Sequence, residues 1–320
     1  MLVADLVQFM IAMIGVIAAA RVDHVRNSDG YYRTIDLETG DVDRDDAYDA
    51  ASTTSLNPSL GAVFRAGDRL SLRAAAYRGF RAPTLRELYH SAWIRSGVRL
   101  VNNPELAPER LVGAEIGADL DLGENARLRL TLFRNTVEDL VQNITRGQTG
   151  DAPGVVEPCG LIGPNETCRE LDNVGEMQAT GLELEAEFQP APRWRLFASY
   201  LYNDTEITRA PDNPALVGNR VRQAPEHALT ARLRHDGRWF ATSLQARYVG
   251  ERFEDDLNRL EVGDFLLFDL YLSRPLAAGG EIFLQVENLL DEDYEVRVSN
   301  SGDIEIGRSR FIGVGFRFRR

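Results

Sequence analysis

From Trp194 to Arg320 the chain alternates apolar and polar residues one by one, segment after segment. In the last segment Ile312, Val314, Phe316 and Phe318 share one face, while Phe311, Gly313, Gly315 and Arg317 share the other. Successive side chains of a β-strand point to opposite sides, so this pattern predicts a strand with one greasy and one polar face. The same holds for Ile282, Leu284 and Val286 against Phe283, Gln285 and Glu287. It holds again for Leu266, Phe268, Leu270 and Leu272 against Leu267, Asp269, Tyr271 and Ser273. A soluble sandwich would alternate in the same way, and the connections separate the two. Read backwards, they run long (Leu289 to Gly307), short (Pro275 to Gly280), long (Glu251 to Gly263), short (His235 to Arg238) and long (Asp204 to Ala224). Strands that cross a membrane in antiparallel order connect at alternate faces, with short turns on the periplasmic side and long loops outside. The fold class expected is therefore all-β, an antiparallel transmembrane β-barrel.

The remaining chain continues the rule. Met1 to Ala20 is apolar with Asp5 inside it. It lacks the positive start of a signal peptide despite Ala18-Ala19-Ala20. It reads instead as two strand pieces within residues 1–25, Leu2 to Phe9 and Gly15 to Val25, so that the chain is expected to begin inside a strand. An acidic loop follows from Arg26 to Thr54. Strands are expected at Ser55 to Arg65 and Arg69 to Gly79 around the turn Ala66-Gly67-Asp68, then at Arg110 to Leu122 and Arg127 to Asn143 around Gly123-Glu124-Asn125. Further strands are expected at Val174 to Phe188, Arg193 to Thr205, Ala224 to Arg234 and Trp239 to Val249. Long connections at Arg81 to Ala107 and Thr145 to Asp172 complete about twelve strands, several of them long enough to cross when tilted. Trp194 and Trp239 follow short turns, where an aromatic girdle would lie.

Composition narrows the partners. The net charge of −13 argues against nucleic acid. The acids gather in the expected loops, as in Asp41 to Asp49, Asp255-Asp256 and Asp291 to Asp293. Asp41, Asp43, Asp45 and Asp46 lack the glycine and closing glutamate of an EF-hand loop, so a solvated acidic loop is expected there. The two cysteines, Cys159 and Cys168, lie close together in one loop. In an exported protein such a pair reads as a local disulfide, and in a reducing compartment as two free thiols. The four histidines, His24, His90, His227 and His235, are scattered, and no serine or cysteine sits in a nucleophile motif. No catalytic residues, cofactor or metal ligands are expected, and the chain does not read as an enzyme.

At Tyr77 to Tyr89, YRGFRAPTLRELY, the sequence resembles the barrel of TonB-dependent outer-membrane receptors. The resemblance extends through Asn103-Pro104-Glu105-Leu106 with Pro108-Glu109, Glu115 and Gly117, and Asn173-Val174-Gly175 with Gly181 and Glu183. It runs on through Val221-Arg222-Gln223-Ala224-Pro225 and Val286 to Asp291 with Tyr294. These stretches fall in the family's order over roughly residues 55 to 320, and together they are more specific than any one. The resemblance implies a 22-stranded barrel, an N-terminal plug and a TonB-contacting segment. Here the plug and that segment are missing and only about twelve strands are present. Residues 1–320 are accordingly expected to be the C-terminal part of such a barrel, truncated or split from an upstream piece. The ending Phe316-Arg317-Phe318-Arg319-Arg320 also departs from the aromatic last residue common in outer-membrane proteins.

The implied activity is active uptake of a scarce ligand, most often a ferric siderophore, in a Gram-negative outer membrane. Its partners would be membrane lipid and lipopolysaccharide, the ligand, and the TonB complex through a plug. Ligand contacts would come from external loops, where binding residues concentrate. Arg81, Arg86, Arg95 and Arg99, with Tyr89 and Trp93, suit an anionic ferric chelate. His90 suits haem iron in a haem receptor. A cobalamin receptor of the same family, a self-contained twelve-stranded pore or barrel enzyme, and a non-functional fragment are the other readings. Most of the motif residues also have a purely structural role open to them at strand ends: Pro83 and Pro104 stop strand pairing, and Asn288 and Asp291 tolerate turn geometry.

Overall fold

The computed structural model describes residues 14–94, 97–276, 279–299 and 302–318. The expected strand piece Leu2 to Phe9 lies outside the described residues. Twelve long strands form one antiparallel sheet in simple chain order. They are β1 (Ile14–Asn27), β2 (Ala51–Arg65), β3 (Leu70–Arg81), β4 (Glu109–Asp121), β5 (Ala126–Glu138) and β6 (Glu176–Ala191). They continue with β7 (Trp194–Arg209), β8 (His227–Asp236), β9 (Ala241–Val249), β10 (Phe265–Pro275), β11 (Gly280–Glu287) and β12 (Phe311–Phe318). Short turns join every second pair, and the long connections all fall at the opposite end of the sheet. The sheet is open: β1 and β12 are its two edges. Among the described residues no helix is long and apolar enough to cross a membrane.

The register makes the two faces continuous. Ile14, Phe64, Leu72, Ala118, Leu130, Leu184, Tyr200, Leu229, Tyr248 and Leu266 are successive cross-strand partners, a single apolar row over β1 to β10. Ile14, Phe64, Leu72, Leu130, Leu229 and Leu266 of this row are exposed. Ile312, Val314 and Phe316 of β12 keep 62%, 73% and 64% of their surface, which for three apolar side chains in line marks a surface built for hydrocarbon rather than water. One residue further along, the opposite face carries Arg73, Asp119, Arg129 and Glu185. Arg129 donates to Asp119 at 2.9 Å and to Glu185 at 3.0 Å, so neighbouring strands are stapled by charge. The acids of β6 thus lie on the polar face, as the cost of a carboxylate in lipid requires. That face is also fitted ring against glycine: a Cβ on Gly181 would stand 2.1 Å from the Tyr202 carbonyl oxygen and 2.7 Å from the Phe133 ring. Gly181 is therefore fixed by the closeness of its neighbours.

Most of the buried core is outside the sheet. It lies among the long connections, which fold into a cap instead of remaining loose loops. Val141–Gln148, Thr167–Asn173, Val98–Val101 and Ala92–Ile94 form a four-stranded sheet of their own. Three clusters hold it together. Ile144, Val174, Ile207, Ala210 and Leu216 make one; Leu88, Leu100, Leu106 and Leu171 a second; Cys159, Ile162 and Cys168 the third. The strand expected to run from Arg127 to Asn143 ends at Glu138 for this reason. Asp139 takes a left-handed turn (φ 56°), and the chain re-enters as a cap strand at Val141. The ends of β6, β7 and β8 likewise differ from the sequence expectation by a few residues.

Candidate ligand-facing cap

The first long connection is a hairpin, Gly30–Ile35 paired with Val42–Tyr48. Its turn is closed by Asp36, whose carboxylate accepts from the backbone N–H groups of Glu38 (2.7 Å) and Thr39 (3.0 Å). Those donors, Thr39 first, hold the Asp36 carboxyl below its ordinary value. Alternation along the hairpin places Tyr32 and Tyr48 toward the second connection.

That connection leaves β3 at Pro83 and turns at once into helix α1 (Leu85–Tyr89). The helix starts with a capping box: the Thr84 hydroxyl accepts from the Glu87 N–H at 3.3 Å, and the Glu87 carboxylate accepts from the Thr84 N–H at 2.7 Å. Arg81 donates to the same carboxylate at 3.0 Å and to Glu109. Burial works to raise the Glu87 carboxyl, but the Thr84 N–H and Arg81 outweigh it and hold it below the ordinary range. The Thr-Leu-Arg-Glu run is thus a clamp that aims the end of α1. Tyr89 packs on Tyr48 with ring centroids 4.6 Å apart, and His90 meets Tyr32 edge to face at 6.3 Å.

Of the residues expected to contact a ligand, Tyr89 and His90 are therefore brought together with two tyrosines of the neighbouring hairpin. Arg86 is exposed on α1 beside them. Arg81 is engaged by Glu87 and Glu109 at the rim of β3, as part of the scaffold. Trp93 lies in the cap strand Ala92–Ile94, paired with Arg99, and Arg95 lies outside the described residues. Tyr32 and Tyr48 escape a sequence reading because their partners are more than forty positions away; the only local signal is their aromatic character in an acidic loop.

The third connection carries a disulfide between Cys159 and Cys168. It ties the small hairpin of Gly154–Val156 and Gly160–Ile162 to the cap sheet, and both sulfurs are buried. Next to it the acidic run Glu254-Asp255-Asp256 turns inward. Asp256 accepts from the Thr145 N–H (2.9 Å) and hydroxyl (2.7 Å), and Asp255 accepts from the N–H groups of Arg259 and Leu260, both at 2.9 Å. Glu254 accepts from Gln223 at 3.0 Å and from Arg222 at 3.4 Å. Asn173 locks further connections together, donating to the carbonyls of Asp139 (2.6 Å) and Ala107 (3.0 Å). Asn288, in a left-handed conformation at φ 50°, bridges Glu292 and Arg308. The short motifs of the sequence are, in three dimensions, latches between connections. Beside the acidic latch is a recess of about 310 Å³ lined by Arg146, Arg169 and Arg259 among others. Burial first, then the nearby Arg222 charge, lowers the Arg169 guanidinium from its ordinary value.

Comparison with known proteins agrees with this architecture. The family model described as TonB dependent receptor-like, beta-barrel matches residues 10–289. The vitamin B12 transporter BtuB of Vibrio vulnificus is 25% identical over 262 residues, covering 81% of this chain and 37% of that protein. The ferrichrome outer membrane transporter/phage receptor of Escherichia coli is 30% identical over 156 residues, covering 45% of this chain and 20% of its own length. Among solved structures, the ferric yersiniabactin uptake receptor FyuA from Yersinia pestis superposes with a TM-score of 0.70 at 18% identity, covering 96% of this chain and 43% of that one. The copper transporter OprC gives 0.72 at 16% identity, over 97% of this chain and 46% of the other. At such identities the structures share the fold. This chain spans about two-fifths of the length of BtuB and under half of either structure. Since the family model takes in most of the sequence, from residue 10 to residue 289, the chain belongs to the TonB-dependent receptors and its sheet is a stretch of their outer-membrane β-barrel.

Proposed function

We propose that this chain is the C-terminal barrel portion of a receptor that takes up a ferric siderophore, with a plug in an upstream segment coupling it to the TonB complex. The aromatic group Tyr32, Tyr48, Tyr89 and His90, with exposed Arg86, carries the ligand reading. It offers flat π surfaces and a guanidinium at the outer rim, a combination suited to an anionic aromatic or hydroxamate chelate. The open sheet supports the portion reading, because unpaired edges at β1 and β12 would each leave a row of backbone groups unsatisfied in hydrocarbon. Several relatives carry names that refer to iron or its chelates, among them the iron-regulated outer membrane virulence protein of Vibrio cholerae, 25% identical over 295 residues.

The test uses intact protein purified from outer membranes in detergent and titrated with ferric catecholate, ferric hydroxamate, ferric citrate and cobalamin, followed by tryptophan fluorescence. One ferric chelate is expected to quench it, and Tyr89→Ala or Arg86→Ala to weaken that chelate about tenfold or more, the scale of one charge-assisted contact. Quenching by cobalamin alone, or by no compound, overturns the siderophore reading. Haem is a second reading, favoured by the exposed imidazole of His90 beside Tyr32. Its mark is a Soret shift with haemin that disappears in His90→Ala.

A further inference from the structure

At the end of the sheet that carries the short turns, two arginines depart from the rest of the wall, Arg238 in a turn and Arg274 at a strand end. Several arginines of the polar face are matched to a carboxylate, as Arg73, Arg127, Arg129, Arg234 and Arg317 are. Arg238 and Arg274 have no ion pair among the described residues. Arg274 pairs in register with Ile282 and follows Leu272 by two positions, which puts it on the lipid-facing side. Its Cζ lies 5.5 Å from the centroid of Trp239 and 5.8 Å from that of Phe240. The Cζ of Arg238 lies 5.6 Å from the same Trp239 ring. Trp239 and Phe240 are 61% and 50% exposed, so the four side chains make an open shelf. Alongside it, across β7 and β8, Trp194 stacks on His235 at 4.2 Å.

We propose that Arg238, Trp239, Phe240 and Arg274 form a binding site for the phosphate headgroup of an anionic glycerophospholipid in the periplasmic leaflet. A guanidinium resting on an aromatic face is held by the ring quadrupole, and its N–H edge stays free to donate. Two such edges against one indole suit the two unesterified oxygens of a phosphodiester, which planar guanidinium bonds well. Depth agrees: short turns mark the periplasmic surface, and exposed indole and phenyl rings settle at headgroup level, where acyl chains meet Phe240 and Leu272. The charge is local. In a chain of net charge −13, a pair of cations without an ion pair around an exposed indole at the periplasmic end suits an anion of the membrane. No acid of this shelf competes for them.

The experiment is native mass spectrometry of the intact protein in a mild detergent, titrated with phosphatidylglycerol, phosphatidylcholine or inorganic phosphate. Variants are the pair Arg238→Gln with Arg274→Gln, the pair Arg238→Lys with Arg274→Lys, and the polar-face control Arg232→Gln. At about 1 kcal/mol per basic residue near a charged lipid surface, the glutamine pair should bind phosphatidylglycerol about thirtyfold more weakly. The lysine pair should lose less, and Arg232→Gln nothing. Phosphatidylcholine should bind weakly to all, and millimolar phosphate should not displace phosphatidylglycerol. Heat-modifiable gel mobility, unchanged in every variant, separates lost binding from lost folding. If that mobility changes, Trp239→Leu, which keeps both charges and removes the shelf, replaces the pair and should weaken the lipid by severalfold. Equal phosphatidylglycerol binding by the glutamine pair, equal loss in Arg232→Gln, or displacement by free phosphate overturns the proposal.

Discussion

Removing the Asp256 carboxylate should open the cap without disturbing the barrel wall. This side chain is 1% exposed and accepts from both the N–H and the hydroxyl of Thr145, joining the connection after β9 to the one after β5. In Asp256→Ala both Thr145 donors lose an ionised acceptor, and Arg169, already packed near Arg222, loses a nearby negative charge. A hydrogen bond to a charged group contributes about 1.5–3 kcal/mol, and the carboxylate's own desolvation is relieved by its removal. The net cost to the latched state is about 2–4 kcal/mol, so local opening should become roughly 30- to 1,000-fold more frequent. Amide hydrogen exchange on intact protein reads this directly. Protection should fall by that factor over Val141–Gln148 and residues 250–264 and stay unchanged in β8 and β9. Asp256→Asn keeps one accepting oxygen and should lose about half as much in free energy. Protection within threefold of the parent in Asp256→Ala would refute the latch.

Three further outcomes follow from the same geometry. Gly181→Val drives side-chain carbon into the Tyr202 carbonyl and the Phe133 ring, an overpacking that costs typically about 1–3 kcal/mol or more; heat-modifiable folded protein should drop sharply, and Phe133→Ala should restore part of it. Cys159→Ser with Cys168→Ser should loosen the hairpin of residues 154–162 by about 2–3 kcal/mol, the chain-entropy value for so short a ring, seen as faster proteolysis there; unchanged mobility of the alkylated parent with and without reductant would contradict the bond. Acidification should free α1: the Glu87 carboxyl is held below its ordinary 4.5, so its contribution is complete above that value and fades as pH falls through the lower native one. Exchange at residues 84–90 should accelerate below about that pH in the parent, while Glu87→Gln should exchange fast and show no such pH step.

Alternation by itself determined the staves. Leu266 to Ser273 and Ile282 to Glu287 each state a two-residue period, and a period of two leaves one register in which the aliphatic rows face lipid and the charged residues do not. Long and short connections alternate for an equally local reason, since consecutive strands must turn at opposite ends. The position of Glu183, Glu185 and Glu187 on the polar face was legible too, because a carboxylate in hydrocarbon is too costly to be an alternative.

The cap was decided only in three dimensions. Asp255 and Asp256 look like solvated loop acids in sequence, and they are buried because Thr145, over a hundred positions earlier, and the N–H groups of Arg259 and Leu260 supply their donors. Arg81, read as a ligand-facing cation, is engaged by Glu87 and Glu109; Tyr89 and His90, read with it, meet Tyr32 and Tyr48 from another connection. Periodicity reports which way a side chain points along its own strand. Which partner waits there depends on loop closure between distant segments, and no local pattern encodes that.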